Sequence, residues 1–155
     1  MKILLDPGHG REKRGFLDVS GFLYSTEGEA NFIFCQKFKR ELEALGFEVG
    51  MTRKSLNDNP SLMTRGQMGK GYDLLISSHT NAGGGTGVEV WDSTNPVESI
   101  KPLTDKICET TSRVLGIPNR GTKYKKNAAG KNWYGILRHG QAKHNFIVEW
   151  CFHDR

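Results

Sequence analysis

The chain has 155 residues, which is long enough to bury one hydrophobic core and too short for two ordinary domains. Hydrophobic residues make up 36% and charged residues 25% of the chain, a mixture typical of globular proteins and not of disordered or fibrous ones. The formal net charge of +5 fits a polyanionic partner and equally well simple solubility, so charge alone assigns no function.

Cysteine usage and hydropathy exclude several further classes. Cys35, Cys108 and Cys151 lie far apart without a CxxC pair, which favours buried free thiols over a disulfide framework or a thiolate metal site. No run approaches the ~20 apolar residues that span a bilayer, so we expect no membrane interaction. The apolar stretch after Met1 is too short for a signal peptide, so we expect synthesis in the cytoplasm and another export route.

Apolar runs alternate with helical patterns along the chain. The bounds of the predicted strands are 2–6, 47–52, 74–79, 87–92, 133–138 and 145–152. Further helices are predicted over residues 60–68 and from near Ser99 to Gly116. This alternation predicts an α/β fold, in which a single, twisted and mostly parallel sheet of about six strands carries helices on both faces.

The first helix is predicted from its periodicity and its start. Cys35, Phe38, Leu42 and Leu45 follow the spacing of one helical face. Residues 26–29 read T-x-x-E, which predicts a capping box with Thr26 as N-cap and Glu29 bonded back to it. A capping role for Glu29 leaves Glu27 free for another task.

Four residues that can carry chemistry stand at predicted strand and helix ends. His9 follows the first strand between two glycines, which allow the backbone to approach closely and turn sharply. His79 ends the third strand, and Glu27 begins the first helix. If the strands are parallel, His9 and His79 lie at the same edge of the sheet. Two imidazoles and a carboxylate match a catalytic zinc site, which leaves one position for water. From the pattern alone, hydrogen-bonded turn histidines are the more frequent interpretation.

Glu149 is a charged residue within the apolar last strand. Burying a carboxylate is costly unless the group is paired or functional. Near zinc-bound water, such a group can accept a proton and later donate it to a leaving nitrogen.

Several sequence segments, taken in order, resemble one family. The segments are DPGHG at 6–10, Glu27 four residues before Asn31, SHTNA at 78–82, and VE at 148–149. Together they resemble the zinc-dependent N-acetylmuramoyl-L-alanine amidases of the amidase-3 type, found in bacterial wall hydrolases and phage endolysins. Smaller matches, among them Thr52-Arg53, Leu62 with Arg65, and Arg120-Gly121, extend the resemblance over nearly the whole chain.

The resemblance implies an enzyme with a defined site. His9, Glu27 and His79 would bind one Zn²⁺ per chain, and Glu149 would be the catalytic acid and base. The substrate would be the peptidoglycan amide between N-acetylmuramic acid and L-alanine. Residues 1–155 would form one catalytic domain, with the family's final helix or a C-terminal wall-binding domain missing from the chain.

The family also implies where and with what the protein acts. We expect a lysin-like monomer at the bacterial cell wall, with holin-dependent release if it is a phage lysin, and no nucleic-acid partner. Anionic wall polymers are a further candidate partner, since residues 123–126 read KYKK. That run has three open interpretations: a solvated loop, a teichoic acid contact, or a contact to a stem-peptide carboxylate.

Other residues and functions stay open. His139, His144 and His153 match no ligand position, and Asn81 either contacts substrate or holds the loop after His79. Trp133 and Tyr134 fit strand packing better than glycan stacking. The alternative functions are a zinc peptidase or carboxypeptidase of the same fold that acts within the stem peptide, and a basic, non-catalytic module that binds wall polymer or nucleic acid.

Overall fold

Strands and helices alternate along most of the chain in the computed structural model, which describes residues 1–10, 26–94 and 100–154. The strands are β1 (Lys2–Pro7), β2 (Glu48–Met51), β3 (Leu74–Asn81), β4 (Val88–Asp92), β5 (Asn119–Lys123) and β6 (His144–Phe152). The helices are α1 (Glu27–Ala44), α2 (Leu62–Gln67), α3 (Lys101–Leu115) and α4 (Gly135–His139).

The strands form one six-stranded sheet in the order β2-β1-β3-β6-β4-β5. All neighbouring pairs are parallel except β4 and β6, which run antiparallel. The predicted mostly parallel α/β sheet is therefore confirmed. Because β1 and β3 are parallel neighbours, with Pro7 opposite Ser78, the segments that follow them leave the same edge of the sheet, as expected for His9 and His79.

Helices cover both faces of the sheet, as predicted. On one face, α1 packs against β1, β2 and β3, and α3 packs against β4 and β5. The core on that face includes Ile3, Leu5, Cys35, Ile76, Cys108 and Phe146. On the other face, α2 packs against α4, and the smaller core consists of Leu4, Leu75, Ile136, Leu137, Ala142 and Ile147.

Helix α1 begins as the capping pattern predicts. The Thr26 side chain accepts a hydrogen bond from the backbone amide of Glu29 at 3.2 Å, which satisfies an amide that the helix itself cannot pair. Cys35 is fully buried, and Phe38 and Leu42 pack against the core. The prediction for Leu45 was wrong: the helix ends at Ala44, and the Leu45 side chain is exposed.

The other two predicted helices are present with shifted ends. Helix α2 is shorter than residues 60–68, because Ser61 caps its first turn. Helix α3 starts at Lys101, with Pro102 in its first turn, and ends at Gly116 in the left-handed conformation (φ 65°). Ser99, where its start was placed, lies outside the described residues.

Two elements differ from the sequence prediction. The segment 133–138 is not a strand, since α4 begins at Gly135 and buries Ile136 and Leu137. A short apolar run fits a strand and a buried helical turn equally, so its periodicity could not separate them. Strand β5 was missed because its sequence, NRGTK, contains no apolar residue.

The cysteines are free thiols, as expected. Cys35 and Cys108 are buried, whereas Cys151 is half-buried. Burial raises the pKa of the Cys35 thiol to about 12, so this side chain stays protonated and acts as a small apolar core residue. Within the described residues, no helix combines the length and the hydropathy needed to cross a membrane.

A buried ion pair joins α2 to the carboxyl end of β1. Arg65 Nη1 donates to Asp6 Oδ1 at 2.9 Å and to the Pro7 carbonyl at 2.7 Å. The same carboxylate accepts from Thr52 Oγ1 at 2.6 Å and from Ser77 Oγ at 2.6 Å. Both Asp6 and Arg65 are almost fully buried, so neither charge has water to replace a lost partner.

We expect Arg65→Met to lower the free energy of unfolding by about 3–5 kcal/mol, because it leaves the Asp6 carboxylate buried without its counter-ion. Urea denaturation followed by circular dichroism measures the effect. Arg40→Met, at an exposed position of α1, is the matched control and should change stability by less than about 0.5 kcal/mol. Equal effects of the two substitutions would contradict a structural role for the pair.

Candidate metal centre

The loop after β1 holds His9 in a conformation that is unusual for a residue with a side chain. Its φ is 60°, in the left-handed region, which a non-glycine residue adopts at a cost unless its surroundings impose it. Arg65 Nη2 donates to the His9 carbonyl at 2.7 Å and to Asn59 Oδ1 at 3.0 Å. The buried arginine therefore sets the backbone that aims the His9 ring.

A glycine beside His9 lets this loop approach β3 closely. A Cβ atom at Gly8 would lie 2.4 Å from Nε2 of His79, a distance that no side chain tolerates. The Gly8 amide donates to the Ser78 carbonyl at 2.9 Å, which continues the pairing of β1 and β3 beyond the strand. The expected role of this glycine, close backbone approach, is confirmed.

A second buried arginine positions the start of α1. Arg53 Nη1 donates to the Gly28 carbonyl at 2.9 Å, and its other nitrogens donate to the carbonyls of Leu56 and Asp58, each at 2.9 Å. The first turn of α1 is thereby tied to the loop after β2. This contact places Glu27 at the carboxyl edge of the sheet, next to the β1 and β3 ends.

The Glu27 carboxylate lies between the two histidines. Its Oε2 is 3.3 Å from His9 Nε2, and its Oε1 is 3.3 Å from His79 Nδ1. Oε1 also accepts hydrogen bonds from the Thr80 amide at 3.0 Å and from Asn31 Nδ2 at 3.3 Å. The spacing of four residues between Glu27 and Asn31 thus places the amide one helical turn on, where it can hold the carboxylate.

Ligand atoms from His9, Glu27 and His79 all lie within 4.8 Å of one another. The two histidine rings meet edge to face, with centroids 5.1 Å apart. Of the two glutamates in the first turn of α1, Glu27 reaches the histidines, and the backbone amide of Glu29 serves the helix cap. The structure therefore brings together the three residues that the sequence suggested as a metal site.

The charges of the cluster shift the pKa values of its members. Burial by itself would raise the pKa of Glu27, but the neighbouring His79 and His9 and the Thr80 amide lower it overall. Burial would lower the pKa of His79, and the carboxylates of Glu27 and Glu149 raise it overall. The site thus favours an ionised Glu27, the form that binds cations.

Glu149 lies beside this cluster on β6. It is the register partner of His79 on β3 and of Glu89 on β4, so the three side chains share one face of the sheet. Among the residues that the structure describes, Glu149 Oε2 is buried and has no hydrogen-bond partner. Burial and the carboxylates of Glu27 and Glu89, opposed by His79, raise the pKa of Glu149 to about 7.

A cleft of about 590 Å³ opens over these residues. Its lining includes the metal-site histidines and Glu149 together with apolar groups such as Leu62, Tyr134 and Ile147. The arrangement combines possible metal ligands, a carboxyl group with a pKa near neutrality and an accessible apolar wall. Such a combination is typical of hydrolytic active sites.

The other three histidines and Asn81 are not among the three residues that form the candidate metal site. His153 Nδ1 lies 3.0 Å from Thr80 Oγ1, while His139 ends α4 and His144 begins β6. Asn81 accepts from the Ala82 amide at 2.9 Å and donates to Glu89 at 3.2 Å, which supports a loop-holding role.

Sequence reasoning underestimated three residues of this region. Tyr134 does not pack within a strand: it precedes α4, lines the cleft and contacts Trp91, with the two rings tilted by 53° and their centroids 5.3 Å apart. Arg65 was identified only as a family match, and nothing in the sequence indicated its hydrogen bond to the His9 carbonyl. Glu89 was not singled out, although an acidic residue within an apolar strand, the signal that identified Glu149, was present.

Two known proteins are similar to most of this chain, one in sequence and one in structure. The N-acetylmuramoyl-L-alanine amidase AmiC of Neisseria meningitidis serogroup B (strain ATCC BAA-335 / MC58) is 28% identical over 130 residues, which are 78% of this chain and 30% of the relative. The structure of Cwp6 from Clostridium difficile aligns with a TM-score of 0.88 at 24% identity, over 99% of this chain and 25% of that chain.

A third similar protein is the catalytic domain of the CD27L endolysin targeting Clostridia difficile, with a TM-score of 0.71 and 27% identity over 99% of this chain and 83% of that chain. This chain spans 30% of AmiC and 25% of Cwp6, so it corresponds to one part of each. The family model of Amidase_3, N-acetylmuramoyl-L-alanine amidase, matches residues 3–155, and the chain belongs to this family.

Proposed function

We propose that this protein is a zinc-dependent hydrolase that cleaves the peptidoglycan amide between N-acetylmuramic acid and L-alanine. The observation that carries the proposal is the convergence of His9, Glu27 and His79 beside the half-buried Glu149. Membership of the Amidase_3 family supports the choice of bond, and the bacterial cell wall is then the place of action.

The donor set fits one zinc ion per chain. Two imidazole nitrogens and a carboxylate are the ligands of many catalytic zinc sites, with metal–ligand distances of about 2.0–2.2 Å. One ligand atom from each of His9, Glu27 and His79 lies within 4.8 Å of the other two, which is close enough for the three residues to share one ion. Bound there, zinc would supply a Lewis acid for the amide carbonyl and a water of lowered pKa.

The chain itself supplies the proton transfer. The Glu149 carboxylate, which lines the cleft, would accept the proton of the attacking water. The same group then donates that proton to the leaving nitrogen of L-alanine. Burial raises the pKa of Glu149, which favours the protonated form that donates to the leaving nitrogen.

The surroundings hold the other groups in place. Asn31 and the Thr80 amide fix the Glu27 carboxylate, and Arg65 fixes the His9 loop. Such partners of metal ligands orient them and strengthen metal binding. The apolar wall of the cleft excludes water from the side of the substrate that faces α4.

We expect the purified protein to contain one zinc per chain and a chelator to lower its Tm by about 5 °C or more, because the metal binds the folded state. His79→Ala should abolish both the zinc content and the chelator effect, and Asn31→Ala should weaken zinc affinity about 10–100-fold. Metal analysis and thermal melting measure these effects. His144→Ala, at the opposite end of the sheet, is the control, and loss of zinc in that variant would contradict the assignment.

Digestion of purified cell walls tests the bond that is cleaved. Mass spectrometry should detect new L-alanine amino termini without new reducing ends, and chelator should stop their formation. New amino groups within the stem peptide, with the lactyl amide intact, would instead identify a zinc peptidase. Binding to walls that chelator does not affect, with no bond cleaved, would identify a non-catalytic module.

Replacement of the proposed acid and base separates chemistry from metal binding. Glu149→Gln keeps the size of the side chain and removes its proton transfer, so we expect turnover to fall about 10²–10⁴-fold with zinc content unchanged. Glu48→Gln, an exposed glutamate at the far end of the sheet, should retain full turnover. Turnover of Glu149→Gln within a few-fold of the parent would disprove the assigned role.

A further inference from the structure

A second charged cluster adjoins Glu149 on the same face of the sheet. The Glu89 carboxylate on β4 is nearly inaccessible, and its Oε2 lies 2.5 Å from Arg120 Nε and 2.6 Å from Lys123 Nζ. Its Oε1 accepts from Trp91 Nε1 at 3.0 Å and from Asn81 Nδ2 at 3.2 Å. Four donors therefore surround one buried carboxylate.

The cluster carries more positive than negative charge. Burial would raise the pKa of Glu89, but Lys123 and Arg120 lower it overall, so Glu89 stays ionised and neutralises one of the two cations. One positive charge is left over. The side chains of Arg120 and Lys123 are 37% and 31% exposed, so this charge is accessible from solvent.

Arg120 also has unused donors. It uses Nε on Glu89 and lies over the Phe152 ring, with its guanidinium carbon 5.3 Å from the centroid. Within the described parts of the chain, neither Nη atom donates to a protein acceptor. A guanidinium held on one side and open on the other can bind a carboxylate with two parallel hydrogen bonds.

The cluster lies on the leaving-group side of the proposed reaction centre. Across the sheet, His79 on β3 comes first, Glu149 on β6 follows, and Glu89 on β4 is next. Glu149 donates its proton to the leaving nitrogen, so the peptide that leaves extends beyond Glu149, towards β4 and β5. Tyr134 of the cleft contacts the Trp91 ring, and Trp91 donates to Glu89, so the cleft wall adjoins the cluster.

The distances suit a short peptide. Neighbouring strands are about 4.8 Å apart, so β5 lies roughly 10 Å from β6. An extended peptide advances about 3.3–3.6 Å per residue. A carboxylate carried two or three residues from the scissile nitrogen therefore reaches the position of Arg120 and Lys123.

We propose that Arg120 and Lys123, held by Glu89, bind a carboxylate of the stem peptide and so select substrates that carry one. This inference rests on the proposed function, since the direction of the peptide follows from cleavage at the lactyl amide. It assigns Lys123, from the basic run 123–126, to the peptide and not to a phosphate-rich wall polymer. The geometry favours the peptide because both cations contact Glu89, and Glu89 is the register partner of Glu149 on the neighbouring strand.

Two small substrates test the inference: N-acetylmuramoyl-L-alanyl-D-glutamine, in which the peptide α-carboxylate is the only carboxylate, and the same compound with that α-carboxylate converted to the amide. We expect the zinc-loaded parent protein to prefer the carboxylate form about 10–100-fold in kcat/KM, mainly through KM, because the charged hydrogen bonds are lost with the amide.

Arg120→Gln should reduce this preference to less than about threefold by raising KM for the carboxylate form, with a much smaller change in kcat. Glu89 keeps Lys123 as its partner in this variant, so its charge is not left unpaired. Arg120→Lys retains the positive charge but cannot form bidentate hydrogen bonds, so it should keep an intermediate preference for the carboxylate form. Lys143→Gln, which makes the same charge change at the amino edge of the sheet, is the control and should keep the parent's preference.

The outcomes separate this inference from the proposed function. Cleavage of the lactyl amide with equal rates for both substrates, or an equal loss on both in Arg120→Gln, would overturn the carboxylate site alone. Cleavage at another bond, or of neither substrate nor walls, would overturn the proposed function and the site with it. A loss in Arg120→Gln confined to walls that retain their phosphate polymers would assign the cluster to those polymers and overturn the inference.

Discussion

The candidate site depends on one buried carboxylate at the carboxyl edge of the sheet. Asp6 at the end of β1 accepts hydrogen bonds from Thr52 after β2, from Ser77 on β3 and from Arg65 on α2. These four residues come from distant parts of the chain, and their polar groups have no access to water. Because Arg65 also donates to the His9 carbonyl, the contacts that hold the strand ends together also set the left-handed backbone of His9.

Three carboxylates, those of Glu27, Glu149 and Glu89, lie near one another at this edge of the sheet. Their different surroundings give them different pKa values. The histidines lower the pKa of Glu27, and Lys123 and Arg120 lower that of Glu89. Burial and these two negative charges raise the pKa of Glu149 to about 7. The group proposed to transfer the proton thus lies between two groups that remain anionic, an arrangement by which one protein environment assigns different roles to the same residue type.

Strand β4 lies beside β6 and runs antiparallel to it, and this pairing sets the order of the charged groups across the proposed site. Strand β6 pairs with β3 on one side and with β4 on the other, so Glu149 faces His79 and Glu89 at the same register. The proposed metal ligands lie on one side of Glu149 and the surplus positive charge on the other. A substrate with a neutral amide at one end and an acidic peptide at the other matches this order of charges.

The sequence by itself was sufficient for the parts of the protein that short-range patterns encode. Alternating apolar runs predicted the parallel sheet with helices on both faces, and the T-x-x-E pattern located the start of α1 and separated Glu29 from Glu27. The glycines beside His9 indicated close approach, and a charged residue inside an apolar strand drew attention to Glu149. Each of these features depends on the residues immediately around it, which is why the linear sequence contains the signal.

The tertiary structure alone decided the features that arise from contacts across the chain. Strand β5 has no apolar residue and forms at the sheet edge beside β4, and α4 is a helix because Ile136 and Leu137 complete the core over β6. In the sequence, nothing near Arg65, Glu89 or Arg120 identifies the groups that they contact. Their roles follow from burial and from partners 31 or more residues away, since the energy of a charge is set by its surroundings in space and not by its neighbours in the chain.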